Sequence, residues 1–306
     1  MVKSTLKLVA AIVLFASCNQ FEKAPSGMTY KIKHGSGNEK LLQAGQYVKL
    51  HIEYKLKNKD SVLSSTFEHM PVYFPIDTAQ LGKYTFTEIL MKLRKGDKVD
   101  FNLSIDTLVK MNQLQFNEMF KKGDVIIGKA EILNVFTDVN QVDVDYKKEQ
   151  AIEKDKEIKI IKDHLAKNKI NATQTPEGVF IVIKNAGDTT VKIDTTKQVS
   201  VNYKGYKLNG EEFDSNMKPN DSTAKPYAVR IGDHGVIPGW EIALTYFAKG
   251  GSGTIFVPAM LAYGPQANGS IKAYENLAFD IEIKEVIKKP AQTVQPMLPE
   301  IQPSKK

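Results

Sequence analysis

Apolar and polar residues alternate with a period of two along two long stretches of this chain, and a segment with a helical period separates them. In the first stretch, residues 28–137, Val48, Leu50 and Ile52 fall on one face of an extended chain, and Ile126, Ala130 and Ile132 do the same near its end. Such alternation marks half-buried strands, so 28–137 reads as one antiparallel, β-rich domain reached by a short tether through Gly27. From residue 143 to 168 the composition turns to charged, unbranched residues. Ile158, Ile161 and Leu165 share one helical face there, and Asp155 stands one turn ahead of Lys159. That predicts a solvent-exposed linker helix, although its isoleucine stripe could instead pair with a second copy over barely two heptads.

In the second stretch, residues 171–288, alternation runs through Val199, Val201 and Tyr203, through Tyr227, Val229 and Ile231, and through Leu277, Phe279, Ile281 and Ile283. Asn209-Gly210 between two strand-like runs signals a hairpin. One short helix interrupts the strands: Pro238 suits a first helical turn, and Trp240, Leu244 and Phe247 present a single apolar face. The expected fold class is α+β, with each domain a curved antiparallel sheet wrapped on a short helix. Residues 289–306 carry prolines and lysines without periodicity and read as a disordered tail.

The two stretches are also distant repeats of each other. Phe86, Leu90, Leu93, Lys95 and Gly96 recur in spacing as Trp240, Leu244, Phe247, Lys249 and Gly250, and each stretch closes on a long alternating strand ending Asn134-Val135 or Glu285-Val286. An internal duplication accounts for both features.

Composition adds compartment rather than chemistry. With 306 residues, 42% of them hydrophobic and 25% charged, the chain has room for two globular domains. The net charge of +7 is spread over the leader, the middle and the tail without a dense Lys/Arg block, so no nucleic-acid partner is expected. The leader has Lys3 and Lys7, an apolar run from Leu8 to Phe15, and then Ala16 and Ser17 before Cys18, the single cysteine. This is the layout of a secretory signal, and the run is too short to span a bilayer core of about 30 Å. Leu14 to Cys18 resembles the lipobox of bacterial lipoproteins, with Phe15 where leucine is more usual. The resemblance implies a signal peptide over residues 1–18, lipid modification of Cys18, and a membrane partner reached through that anchor in the cell envelope. Asn19, rather than aspartate, follows the cysteine and points to the outer membrane, facing the periplasm.

Common catalytic signatures are missing. There is no nucleophile elbow and no phosphate-binding loop ending in Lys-Ser or Lys-Thr, and the five histidines, His34, His51, His69, His164 and His234, show no metal-ligand spacing. What remains in the second stretch is a series of segments: Val201–Gly205 (VNYKG), Phe213–Ser215 (FDS), Val236–Trp240 (VIPGW), Val257–Gly264 (VPAMLAYG) and Asn276–Ile283 (NLAFDIEI). In order and spacing they resemble the FKBP-type peptidyl-prolyl isomerases over most of residues 199–286.

The resemblance implies two FKBP-like domains joined by the linker helix, and an isomerase that works on proline-containing polypeptides without cofactor or metal. It places Trp240 at the floor of an apolar pocket, with Tyr203, Phe213, Tyr227, Val236, Ile237, Ile271 and Phe279 as walls and Tyr263 and Asp214 as the polar rim. Binding of macrolide inhibitors is a further implication. The stretch from Ser215 to Pro226 is longer than in compact members of the family, and the loop from Pro265 to Ser270 is about one residue shorter. In the first stretch, Ile52 stands for Tyr203, Leu63 and Ser64 for Phe213 and Asp214, Phe86 for Trp240 and Gly128 for Phe279, and nothing between Ser104 and Lys122 stands for Tyr263. It is expected to be a degenerate, inactive copy. A polypeptide-binding chaperone or envelope assembly factor with incidental isomerase activity is the alternative reading.

Overall fold

Alternating residues pair into strands wherever their polar backbone groups can be satisfied laterally, and here they build two separate sheets. The computed structural model describes residues 20–59, 61–217 and 225–289, and the chain divides into compact units at Gln150/Ala151.

The first unit contains β1 (Glu22–Lys23), β2 (Thr29–Lys33), β3 (Tyr47–Leu56), β4 (Ser61–Ser65), β5 (Val72–Pro75), β6 (Lys98–Ser104) and β7 (Val125–Phe136). They form a seven-stranded sheet of order β1-β2-β6-β7-β3-β4, with β5 also paired to β3. A 3-10 helix, Phe86–Lys92, and the helix α1, Ile105–Lys110, complete it. The expected tether is part of this fold. β1 pairs with β2, Ala24 is buried, and Gly27 N–H donates to the Ala24 carbonyl, so the unit begins before residue 28.

Helix α2, Val139–Lys167, starts before the expected residue 143. Its first turns carry Asp145 and Glu149, which hold the Lys49 ammonium of β3 at 2.6 and 2.7 Å, while Tyr73 O–H also donates to Asp145 at 2.6 Å. Burial works against the charge on Lys49, but the two carboxylates outweigh it and raise its pKa.

The second unit contains β8 (Thr173–Gln174), β9 (Phe180–Asn185), β10 (Lys197–Lys207), β11 (Glu212–Ser215), β12 (Tyr227–Arg230), β13 (Ser252–Val257), β14 (Leu277–Lys288) and α3 (Pro238–Leu244). Its sheet order, β11-β10-β14-β13-β9-β8 with β12 on β10, repeats that of the first unit element for element. The irregularities recur as well. β10 shifts register against β14 between Ser200 and Val201, as β3 does against β7 between Lys49 and Leu50. A second shift follows at Gly205/Tyr206 against β11 and at Tyr54/Lys55 against β4. Such bulges bend a strand and increase its local twist. The Asn209-Gly210 signal matches the hairpin between β10 and β11.

The isoleucine stripe of α2 is not solvent-exposed, as the composition of the segment had implied. Ile158, Ile161 and Leu165 are buried against Phe180, Phe256 and Ala278 of the second unit's sheet, so the surface that might have paired with another copy is used within the chain. Burying three such side chains contributes roughly 4–9 kcal/mol, which makes α2 from Ala151 onward part of the second unit and moves its boundary upstream of residue 171. The expected Asp155–Lys159 pair is replaced by Lys159–Asp163 at 2.6 Å.

Lys289, expected in the tail, is anchored: its backbone N–H donates to the Thr196 carbonyl and its ammonium to the Ile231 carbonyl, both at 2.8 Å. The rest of that tail, 290–306, and the leader with Cys18 lie outside the described residues. Among the described residues no helix is long and apolar enough to cross a membrane.

Candidate active site

Seven strands, helices and loops of the second unit converge on one cavity of about 490 Å³. β10 contributes Tyr203, β11 Phe213 and Asp214, β12 Tyr227, and β14 Phe279, while the loop into α3 contributes His234, Gly235, Val236 and Ile237, α3 itself Trp240, and the loop after β13 Tyr263. The sheet places the aromatic residues because its register is closed on both sides of β10. Gly205 faces Phe279 across the β10/β14 pair and Asp214 across the β10/β11 pair. A Cβ at Gly205 would sit 2.7 Å from the Phe213 ring and 2.9 Å from the Phe279 ring. The absence of a side chain there leaves the room those rings occupy.

The rings meet edge to face. Trp240 lies 5.1 Å from Tyr203 and 5.3 Å from Phe279, and Phe213 lies 5.7 Å from Phe279, with interplanar angles of 80–88°. This arrangement suits the ring quadrupoles and contributes about 0.5–1.5 kcal/mol per pair beyond burial. Trp240 and Phe279 are only 4% exposed and make a rigid floor. The Trp240 indole nitrogen is buried without a hydrogen-bond partner among the described groups, so the floor carries one free donor.

The rim is polar at two places. Tyr203 O–H donates to an Asp214 carboxylate oxygen at 2.6 Å. Burial first, and then the adjacent carboxylate, push the Tyr203 hydroxyl above its ordinary range, so it remains a protonated donor throughout the physiological pH range. Tyr263 is 36% exposed and stands at the mouth with Tyr227. Its loop is closed by Gly264 N–H donating to the Ala259 carbonyl and Tyr274 N–H donating to the Gly264 carbonyl, both at 2.8 Å.

Nine of the ten residues that the family resemblance assigned to the pocket line this cavity. Ile271 is not among the lining residues: like Trp240 and Phe279 it is 4% exposed and packed in the domain core, and it sits in a turn closed by reciprocal backbone bonds with Asn268. Sequence reasoning missed His234 and Gly235 as lining and Glu241 as the support of His234. His234 adopts φ +55, a conformation uncommon outside glycine. Glu241 holds it by accepting the His234 backbone N–H at 2.8 Å and approaching its Nδ1 at 3.2 Å. The only sequence signal was a carboxylate in the first turn of α3.

The first unit keeps the frame and fills the space. By register Tyr54 takes the place of Gly205 and Gly128 that of Phe279. The Phe101 ring occupies the vacated wall so completely that a Cβ on Gly128 would lie 2.0 Å from it. Phe101 also packs 5.6 Å from Tyr54 and 5.5 Å from Phe86, and burial raises the Tyr54 hydroxyl to about 12.

Among known proteins, a family model described as FKBP-type peptidyl-prolyl cis-trans isomerase matches residues 189–284, which include every residue lining the cavity. The chain is 37% identical over 114 residues to the FKBP-type peptidyl-prolyl cis-trans isomerase FkpA of Buchnera aphidicola subsp. Acyrthosiphon pisum, covering 37% of this chain and 44% of that protein. To FkpA of Escherichia coli K12 it is 30% identical over 215 residues, covering 70% of this chain and 73% of that protein. Among solved structures it is similar to a peptidyl-prolyl cis-trans isomerase of Pseudomonas syringae pv. tomato, at 26% identity and a TM-score of 0.36, covering 43% of this chain and 94% of that one.

Proposed function

This chain belongs to the FKBP-type peptidyl-prolyl cis-trans isomerases, and from that premise we propose that the cavity of the second unit is the isomerase site, acting on proline-containing segments of exported polypeptides. The observation that carries the reading is the edge-to-face aromatic cage of Tyr203, Phe213, Trp240 and Phe279 beneath a rim of Asp214 and Tyr263.

Rotation about a peptide bond crosses a barrier of about 18–20 kcal/mol because amide resonance is lost at the twisted geometry. The twisted amide has less charge separation than the planar one, so water stabilises the ground state more than the transition state. Replacing water by an apolar wall removes that difference, and the shape of the cage favours the twisted form. Proline is the natural substrate: its tertiary amide prefers trans by only about 0.5–1 kcal/mol, yet isomerises slowly enough to limit folding. Val236, Ile237 and Tyr227 extend the apolar wall, Tyr263 O–H donates to a substrate carbonyl, and the Tyr203–Asp214 pair fixes the edge of the cage. No proton is exchanged with substrate. The same apolar volume is where a macrolide inhibitor would compete.

The first unit acts as a non-catalytic copy, because Tyr54 and Phe101 fill the equivalent volume. Leu14–Cys18 supports export and lipid anchoring at Cys18, placing the enzyme in the cell envelope, on the periplasmic side of the outer membrane. The test of the site is isomerisation of a proline-containing tetrapeptide by the full chain and by Phe279→Ala. A loss of at least tenfold is expected, and a Phe279→Ala protein that folds and turns over like the wild type would remove the cavity from the mechanism.

A further inference from the structure

Glu157 stands at a position of α2 where an apolar residue would be expected. It is one helical turn before Ile161, on the face packed against the second unit's sheet, and it is 2% exposed. One carboxylate oxygen accepts the backbone N–H of Met260 at 3.0 Å, and the other is buried without a partner among the described residues. The Glu157 backbone carbonyl accepts from the Asn276 side-chain amide at 3.3 Å, and the Asn276 side-chain oxygen in turn accepts the Ala259 N–H at 2.8 Å.

Ala259–Leu261 is a single 3-10 turn, and the loop it leads into carries Tyr263. The first N–H groups of any helical turn lack partners within the turn. Here the N–H groups of Ala259 and Met260 are both taken, one by Asn276 directly and the other by Glu157. The lower end of the Tyr263 loop is therefore tied to α2 by a side chain that makes no other hydrogen bond among the described residues. Burying a carboxylate with one oxygen unpaired is unfavourable, which sets Glu157 apart from the apolar residues that merely attach the helix.

We propose that Glu157 is a positioning residue for isomerisation: by capping the Ala259–Leu261 turn it holds Tyr263 at the cavity rim, so that α2 is a working part of the isomerase site and not only a linker. The inference rests on the reading that Tyr263 contacts substrate. It also extends the functional unit beyond residues 189–284, the segment that the family model matches.

The experiment uses the full chain and a proline-containing tetrapeptide, with kcat and KM measured separately for Glu157→Met, Glu157→Gln, Tyr263→Phe and the Glu157→Met/Tyr263→Phe double variant. Methionine fills the buried volume without supplying an acceptor, and glutamine restores the acceptor for the Met260 N–H. Glu157→Met is expected to lose about five- to tenfold in kcat/KM, the scale of one hydrogen bond placed or misplaced in the transition state. Its unfolding temperature should stay at or above that of the wild type at pH 8, since a buried charge has been removed. Glu157→Gln should recover to within about twofold, and in the Tyr263→Phe background Glu157→Met should cost less than about twofold, because coupled residues are not additive. Wild-type activity in Glu157→Met, or losses that simply multiply in the double variant, would overturn the proposal. If Phe279→Ala also retained wild-type activity, the site assignment itself would fall. A failure confined to Glu157 leaves that assignment standing. Should Glu157→Met not fold, Glu157→Gln losing activity as completely as Asn276→Ala would equally overturn it.

Discussion

Replacing Glu157 by glutamine should flatten the pH dependence of the second unit's stability, and the structure sets the size of the effect. Burial, partly offset by the Met260 N–H, raises the Glu157 carboxyl from an ordinary 4.5 to about 7, and Glu153 adds to the rise while Lys156 opposes it. Met260 and Asn276, which bond to Glu157 from the facing segments, bring only amide groups. Below pH 4.5 the group is protonated in both the folded and the unfolded chain, so it imposes no pH-dependent penalty. As pH rises through 4.5 the unfolded chain releases its proton while the folded chain keeps it, and stability falls until the folded carboxyl also ionises near 7. At about 1.4 kcal/mol per pH unit, the loss between pH 5 and pH 8 is about 2.5 kcal/mol. The assay is urea unfolding followed by fluorescence of Trp240, the only tryptophan of the chain, which reports on the second unit alone. Histidines such as His164 titrate equally in both proteins and cancel in the difference. Glutamine cannot ionise, so the wild type minus variant stability should fall by that amount from pH 5 to pH 8. Parallel pH profiles for the two proteins would refute the claim that Glu157 is an ionisable group taken out of water.

Four further outcomes follow from the geometry. Tyr263→Phe should reduce kcat/KM by no more than about tenfold, since one hydroxyl contact contributes about 0.5–1.5 kcal/mol net, whereas Phe213→Ala should reduce it further by opening the wall; the reverse ranking in a proline-peptide assay would contradict catalysis by exclusion of water. Wild-type activity at fixed folded fraction should be nearly flat across neutral pH, because no lining group exchanges a proton with substrate, and a bell-shaped profile abolished by His234→Ala would point to acid–base catalysis instead. A fragment of residues 151–289 should be several kcal/mol more stable in denaturant than one of residues 171–289, because the shorter form exposes Phe180 and Phe256; equal midpoints would show that α2 contributes nothing there. Finally, Cys18→Ser should release the protein from membranes, and mass spectrometry finding an unmodified Cys18 in the mature wild type would dispose of the lipid anchor.

Period-two alternation determined the strands, and the recurrence of Phe86-Leu90-Leu93 as Trp240-Leu244-Phe247 determined the duplication, because both depend on spacing along the chain, which any local reading captures. The cage was legible too, since Tyr203, Phe213, Trp240 and Phe279 lie in segments whose order carries the family pattern. What the sequence left open was decided by pairing between distant segments. That Gly128 stands for Phe279 was legible in the sequence, but only the register shows that Tyr54 takes the place of Gly205, and only the packing shows that Phe101 fills the space left at Gly128. Ile271 carries the apolar character of a wall residue, yet it packs into the core from a turn bonded to Asn268 and is not among the residues that line the cavity. The stripe of Ile158, Ile161 and Leu165 could have met solvent, another copy or its own sheet, and its helical period is the same in all three cases. It met Phe180 and Phe256 because those two side chains emerge on the face of the sheet opposite the core, where only a neighbouring element can remove them from water. Glu157 appeared to be one more charge on a charged helix, and only its approach to the Met260 N–H, 103 residues away along the chain, makes it part of the site.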